Sequence, residues 1–140
     1  MDKAQLIRQA LSQSGQLVMP GVYDALSAKI AARSGFEVIF ITGYSLSATL
    51  LGEPDFGLLT QTEVIAAAQR ICSVVGTPVI VDADTGYGNA INVIRTVREL
   101  IGAGAAGMFL EDQVWPKRCG HMQGKQVIPF EEHGCDQTTT

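Results

Sequence analysis

The stretch Val79-Ile-Val-Asp-Ala-Asp-Thr-Gly-Tyr-Gly88 runs from apolar residues into two carboxylates, Asp82 and Asp84, and then into glycines. Side chains two apart on a strand emerge on one face, so the pair reads as two acids side by side. Adjacent carboxylates repel unless positive charge lies between them. A hard divalent cation, magnesium or manganese, suits such an all-oxygen pair. Gly86 and Gly88 let backbone approach whatever that cation holds. The same residues also read as a helix N-terminus rich in acid and glycine, and this stretch alone leaves both readings open.

A second reactive group is Cys119, in Lys117-Arg-Cys-Gly-His121. A thiol flanked by Lys117, Arg118 and His121 forms thiolate more readily, because positive neighbours stabilise the anion. The alternative is an incidental surface cysteine. Cys119 and His121 together with His133 and Cys135 also supply four zinc-ligand side chains, though their spacing matches no common zinc finger.

The elements that must position these groups follow from periodicity. Asp2 to Ser14 reads as a helix, with Leu6, Ile7, Ala10 and Leu11 three and four apart. Leu17 to Met19 reads as a short strand stopped by Pro20-Gly21. Asp24 caps a helix through Arg33, and Gly35 lies just beyond it. Val38 to Ile41 is an apolar strand of the kind buried on both faces. Thr42 to Ser47 reads as a small polar loop. Thr60-Gln-Thr-Glu63 has capping-box spacing and opens a helix whose stripe is Val64, Ile65, Ala68, Ile71, Cys72 and Val75. The acidic strand follows, then a helix from about 90 to 101, then a last strand, Gly107 to Asp112. Alternating strands and helices with fully apolar strands predict an α/β fold, a parallel sheet covered by helices. Polar and acidic residues gather just after each strand, which is the ligand edge of such sheets.

Bulk properties exclude several classes. The chain has 140 residues, 46% hydrophobic and 17% charged, as expected for one packed domain. A net charge of -4 offers no basic footprint for nucleic acid and no polybasic membrane patch. No apolar run approaches the roughly 20 residues needed to span a bilayer, and the N-terminus lacks a secretory segment. The three cysteines make no disulfide framework, and Cys72 fits a helix core. The expected location is cytoplasmic.

Five motifs occur in order: Pro20-Gly-Val-Tyr-Asp-Ala-Leu-Ser-Ala28, Leu51-Gly-Glu-Pro-Asp-Phe-Gly57, Asp82-Ala-Asp-Thr-Gly-Tyr-Gly88, Glu111-Asp-Gln113 and Lys117-Arg-Cys-Gly-His121. Together they resemble the isocitrate lyase and phosphoenolpyruvate mutase superfamily, nearest its methylisocitrate and dimethylmalate lyase branch. The likeness assigns residues 1–132 to the N-terminal half of a modified (β/α)8 TIM-type barrel and leaves 133–140 as a polar tail. It implies magnesium, or manganese, and an α-keto acid at the C-terminal mouth of the barrel. Asp82 would be the direct metal ligand, and Asp84, Glu111 and Asp55 would hold the metal or its waters. Asp55 equally fits an Asx-turn. For Glu111 and Asp112, alternation turns only one inward, and the resemblance picks Glu111. Gly43, Tyr44 and Ser45, with Asp82, would bind the substrate carboxylate, although an ordinary strand-to-helix turn explains them as well.

In the lyases of that family the cysteine exchanges a proton with substrate. Cys119 would do so here, with Gly120 letting the loop move and Lys117, Arg118 and His121 attracting a dicarboxylate. The implied activity is magnesium-dependent carbon–carbon cleavage of a 2-hydroxy di- or tricarboxylate, releasing an α-keto acid such as pyruvate. A phosphonate-class activity, phosphonomutase or phosphonopyruvate hydrolase, is the alternative, but such relatives generally lack the Cys-Gly-His. A complete barrel takes about 250 residues. The expectation is therefore four strands with two free edges and an uncovered apolar face. Such a half-barrel would either belong to a homo-oligomeric enzyme or be inactive and act only by association.

Overall fold

A computed structural model describes residues 2–131. Four parallel strands, β1 (Gly21–Val22), β2 (Ile39–Ile41), β3 (Val79–Asp82) and β4 (Gly107–Phe109), lie in the order β1-β2-β3-β4. Five helices accompany them: α1 (Lys3–Ser14), α2 (Ala25–Arg33), α3 (Gly43–Leu50), α4 (Gln61–Val74) and α5 (Ala90–Ala103). This is the α/β architecture expected from the apolar strands. Among these residues no helix is long and apolar enough to cross a membrane.

Local chemistry fixes the helix ends. The Asp24 carboxylate accepts from Ser27 N at 2.7 Å, and Thr60 and Glu63 form the reciprocal box, with Thr60 N donating to Glu63 Oε2 at 2.8 Å. Asn89 and Asn92 form a third box at the start of α5, the helix that follows the glycine loop. Gly15 and Gly104 end their helices in the left-handed conformation that glycine alone adopts freely.

Alternation along the strands separates two faces. Val22, Ile39, Ile41, Val79 and Val81 point to α2, α4 and α5 and form the main core with Ala28, Ala68, Ile71 and Leu100. The opposite face presents Phe40, Ile80, Asp82 and Phe109, in the register Phe40↔Ile80 and Asp82↔Phe109. There Ile7 of α1, with Leu17 and Met19, packs against Val38 and Ile80. Above them Phe40 and Phe109 meet with ring centroids 5.2 Å apart, and Phe109 stays 47% exposed. Of the apolar strand residues on this face, Phe109 is the one left exposed. β1 and β4 are its edges.

Two expected elements are corrected. The first strand is Gly21–Val22, not Leu17 to Met19. Leu17 and Met19 are spent as packing under the sheet, and the ladder begins where the Pro20 carbonyl accepts Phe40 N at 3.1 Å. Thr42 to Ser47 is not a loop but most of α3. Its hydroxyls bond locally (Thr49 Oγ1 to Ser45 O at 2.7 Å, Ser47 Oγ to Glu53 O at 3.0 Å) while Leu46 is buried. Small polar residues so satisfied do not oppose a helix.

Behind β3 the glycine loop is packed tightly. Gly86 has φ +86°, and a Cβ there would lie 2.5 Å from Val93 Cγ2. Gly86→Ala is therefore expected to cost about 1–3 kcal/mol through strain and overpacking. A lowered urea midpoint checks it; an unchanged midpoint would mean that the loop is free to rearrange.

Candidate active site

β3 delivers Asp82 at its last residue, and the chain then departs from strand geometry. Asp84 sits at φ 49° and Tyr87 at φ 65°, with Gly86 and Gly88 also at positive φ. Asp84 is therefore placed by a left-handed turn rather than by strand alternation. Its amide donates to Asp82 Oδ1 at 3.1 Å, and the first amide of α3, Gly43 N, donates to Asp82 Oδ2 at 3.2 Å. The positive end of α3 thus faces the Asp82 carboxylate. A Cβ on Gly43 would lie 3.0 Å from Asp82 Oδ2 and 3.5 Å from Asp84 Oδ1, so only glycine fits this approach without displacement.

Of the expected anion loop, Gly43 gives its amide to Asp82 and Tyr44 is exposed. Ser45 is half-buried, with its own amide aimed at Thr42 Oγ1 at 3.5 Å.

Lys117 requires the largest correction. It was expected beside the thiol as an attractor for dicarboxylate, yet its side chain is fully buried. Its Nζ lies 2.8 Å from both Asp55 oxygens and forms a close ion pair with Asp84 Oδ1. The two acids raise the lysine's affinity for its proton more than burial lowers it. The Asp84 carboxyl is pushed up by burial, which Lys117 opposes while Asp82 and Asp55 add to the rise. Asp55 and Asp84 are thus occupied by the chain's own cation. Among the described residues, no three His, Cys, Asp or Glu side chains gather as a ready metal cage.

Asp82 and Glu111 remain. β4 ends at Phe109, so alternation does not select Glu111. The irregular segment beyond the strand does, leaving Glu111 half-buried and Asp112 exposed. Glu111 N donates to Asp84 O at 2.7 Å, which ties the two loops. Burial, and then Asp82 and Asp84 against the opposing Lys117, hold the Glu111 carboxyl above its usual range. An oxygen-only donor set under mutual repulsion fits a hard divalent cation at Asp82 and Glu111.

Cys119 is buried, with Sγ 3.5 Å from His121 Nδ1 and its amide donating to Asp55 O at 3.1 Å. It lines a cavity of about 330 Å³ with Tyr44, Pro54, Asp55, His121 and Met122. Thiol, helix α3 and acid cluster therefore share one wall. Arg118 is exposed and donates to Gln123 O at 3.0 Å, so its guanidinium braces the loop. Gly120 has open space where a Cβ would stand, so packing does not demand glycine there. The four-ligand zinc set falls partly outside the described residues, since His133 and Cys135 lie there.

Two residues that shape the site escaped sequence reasoning. Gln113 is buried and donates to Glu111 Oε2 at 2.6 Å and to Arg118 O at 2.9 Å. It also accepts from Arg118 N at 2.9 Å, clamping the thiol loop to the acid. Its place in the Glu111-Asp-Gln113 motif was the available signal. Tyr87 buries its hydroxyl beside Asp84, and burial together with the acids keeps the phenol protonated. An aromatic residue between two glycines of an acidic loop was the hint.

Comparison with known proteins gives the family. Residues 7–136 match the family model described as phosphoenolpyruvate phosphomutase. Carboxyvinyl-carboxyphosphonate phosphorylmutase, chloroplastic, of Arabidopsis thaliana is 62% identical over 124 residues, covering 88% of this chain and 37% of that protein. The 2,3-dimethylmalate lyase of Eubacterium barkeri is 52% identical over 132 residues, covering 94% and 46%. The solved complex of phosphonopyruvate hydrolase with oxalate and Mg++ superposes with a TM-score of 0.81 at 35% identity, covering 95% of this chain and 45% of that one. The chain spans less than half the length of each of these relatives. With its parallel sheet, acid cluster and Cys-Gly-His loop, it belongs to the phosphoenolpyruvate mutase and isocitrate lyase superfamily.

Proposed function

We propose that this chain carries the metal-binding and proton-donating half of a magnesium-dependent carbon–carbon lyase acting on a 2-hydroxy di- or tricarboxylate. One observation carries the reading. Buried Lys117 ties the loop bearing Cys119 to Asp55 and Asp84, so an ordered thiol sits against the acid cluster. Asp82 and Glu111 would hold the cation, which when bound supplies positive charge that stabilises a developing oxyanion.

The residues of the chain do the rest. Asp55, Asp84 and Lys117 set the position of both loops. The substrate hydroxyl becomes the carbonyl of an α-keto acid such as pyruvate, releasing its proton to solvent as the neighbouring carbon–carbon bond breaks. The electron pair of that bond leaves with the other fragment, a monocarboxylate from a dicarboxylate substrate or a dicarboxylate from a tricarboxylate, and the Cys119 thiol protonates it. His121 Nδ1, on the sulfur, is placed to return the proton.

The name of the Arabidopsis relative favours a second reading, phosphonate chemistry. Incubation with magnesium and 2-methylisocitrate, 2,3-dimethylmalate, oxaloacetate or phosphonopyruvate separates the two. Cleavage of either of the first two supports the lyase; turnover of phosphonopyruvate alone overturns it.

Metal binding is tested without turnover. Asp82→Asn is expected to weaken Mn2+ binding by at least about 10–100-fold, the loss that removal of an outer-shell partner alone produces. Affinity should also fall on acidification, because a protonated carboxyl is no ligand. That fall should begin at a higher pH than an ordinary glutamate would give, since the Glu111 carboxyl is held up. Calorimetric titration measures both effects.

A further inference from the structure

We infer that Lys125 is a positioning residue that holds the Cys119–His121 turn closed around the thiol. The inference rests on the reading of Cys119 as proton donor.

Residues 112–128 form a flap with a paired base. Val114 N donates to Gln126 O at 2.8 Å and Ile128 N to Asp112 O at 2.9 Å, on either side of an antiparallel bridge between Gln113 and Val127. The returning strand brings Lys125 back opposite the tip. Its Nζ donates to Gly120 O at 2.6 Å and to Met122 O at 2.7 Å, the two carbonyls that flank His121.

The turn is closed from within by Met122 N donating to Cys119 O at 2.8 Å. Lys125 takes two of the remaining tip carbonyls at once, which an ammonium with its three donors can do. With them held, the His121 peptide cannot swing, and the imidazole keeps its place on the sulfur. The Arg118 guanidinium, on Gln123 O, braces the next residue but reaches neither of these carbonyls. Lys125 is itself exposed, so its bonds compete with water and add little to global stability. Their effect is local. They decide how often the tip opens and uncovers a cysteine that is 6% exposed when closed.

The test is the rate at which iodoacetamide alkylates Cys119 in the intact chain, read by peptide mass spectrometry so that the other cysteines do not interfere. Lys125→Met is expected to raise that rate roughly tenfold by easing local opening of the turn. Lys125→Arg should restore most of the protection. Lys29→Met, which removes an exposed lysine from α2, should leave the rate unchanged. All three should melt within a degree or two of the parent. Alkylation of Lys125→Met at the parental rate overturns the inference, as does an equal rise in Lys29→Met. Turnover of 2,3-dimethylmalate with magnesium is followed in the same preparations. If none of them, the parent included, cleaves it, the lyase reading fails while the alkylation rates still decide the role of Lys125.

Discussion

Lys117→Met is expected to destabilise the fold by about 3–5 kcal/mol, the usual cost of removing one partner from a buried ion pair. Methionine keeps most of the volume, so the loss would come from leaving Asp55 and Asp84 without their cation. The pH dependence identifies the cause. The folded Lys117 pKa is raised, so its contribution is in place below the unfolded lysine pKa near about 10.4 and is lost only as pH rises through the higher folded value. At neutral pH it is complete. The folded Asp84 pKa is also raised, so ionising that carboxyl costs stability as pH climbs past its unfolded value. Without Lys117 nothing offsets that cost. The deficit of the variant should therefore be largest near neutrality and shrink as pH falls into the carboxylate range. Urea denaturation at pH 7 and pH 5 measures it. A variant as stable as the parent at pH 7 would show that this ion pair does not hold the two loops together.

Cys119→Ala should lower kcat by about 10²–10⁴-fold, the range spanned by general acid–base groups. KM should change little, because in the proposed mechanism Cys119 holds neither the metal nor the substrate carboxylate. The thiol fills only a small part of the core, so the fold should survive, which circular dichroism would verify. A mutant with parental kcat on 2-methylisocitrate or 2,3-dimethylmalate would remove Cys119 from the reaction. Equal loss in Cys119→Ser would show that the thiol itself is required, since the serine hydroxyl has nearly the same shape but is a far weaker acid.

The amino-acid sequence alone made the scaffold legible. Apolar runs at 38–41 and 79–81, the Thr60–Glu63 box and the Asp24 cap each act through neighbours a few residues away, and they appear where expected. It also brought Asp82, Glu111 and Cys119 to notice, because their types and motif spacing are local facts. α3 was missed because its polarity argued for a loop until Leu46 found a core to enter.

What each acid does was decided by tertiary structure. Lys117 lies 62 residues from Asp55, and no local pattern announces that its ammonium will settle between Asp55 and Asp84. The left-handed turn at Asp84 likewise depends on what surrounds the loop. Electrostatic roles depend on distance in space, which falls off steeply and ignores chain separation. Periodicity and capping depend on residues a few positions apart, so a single sequence reveals the frame and the reactive groups but not which charge answers which.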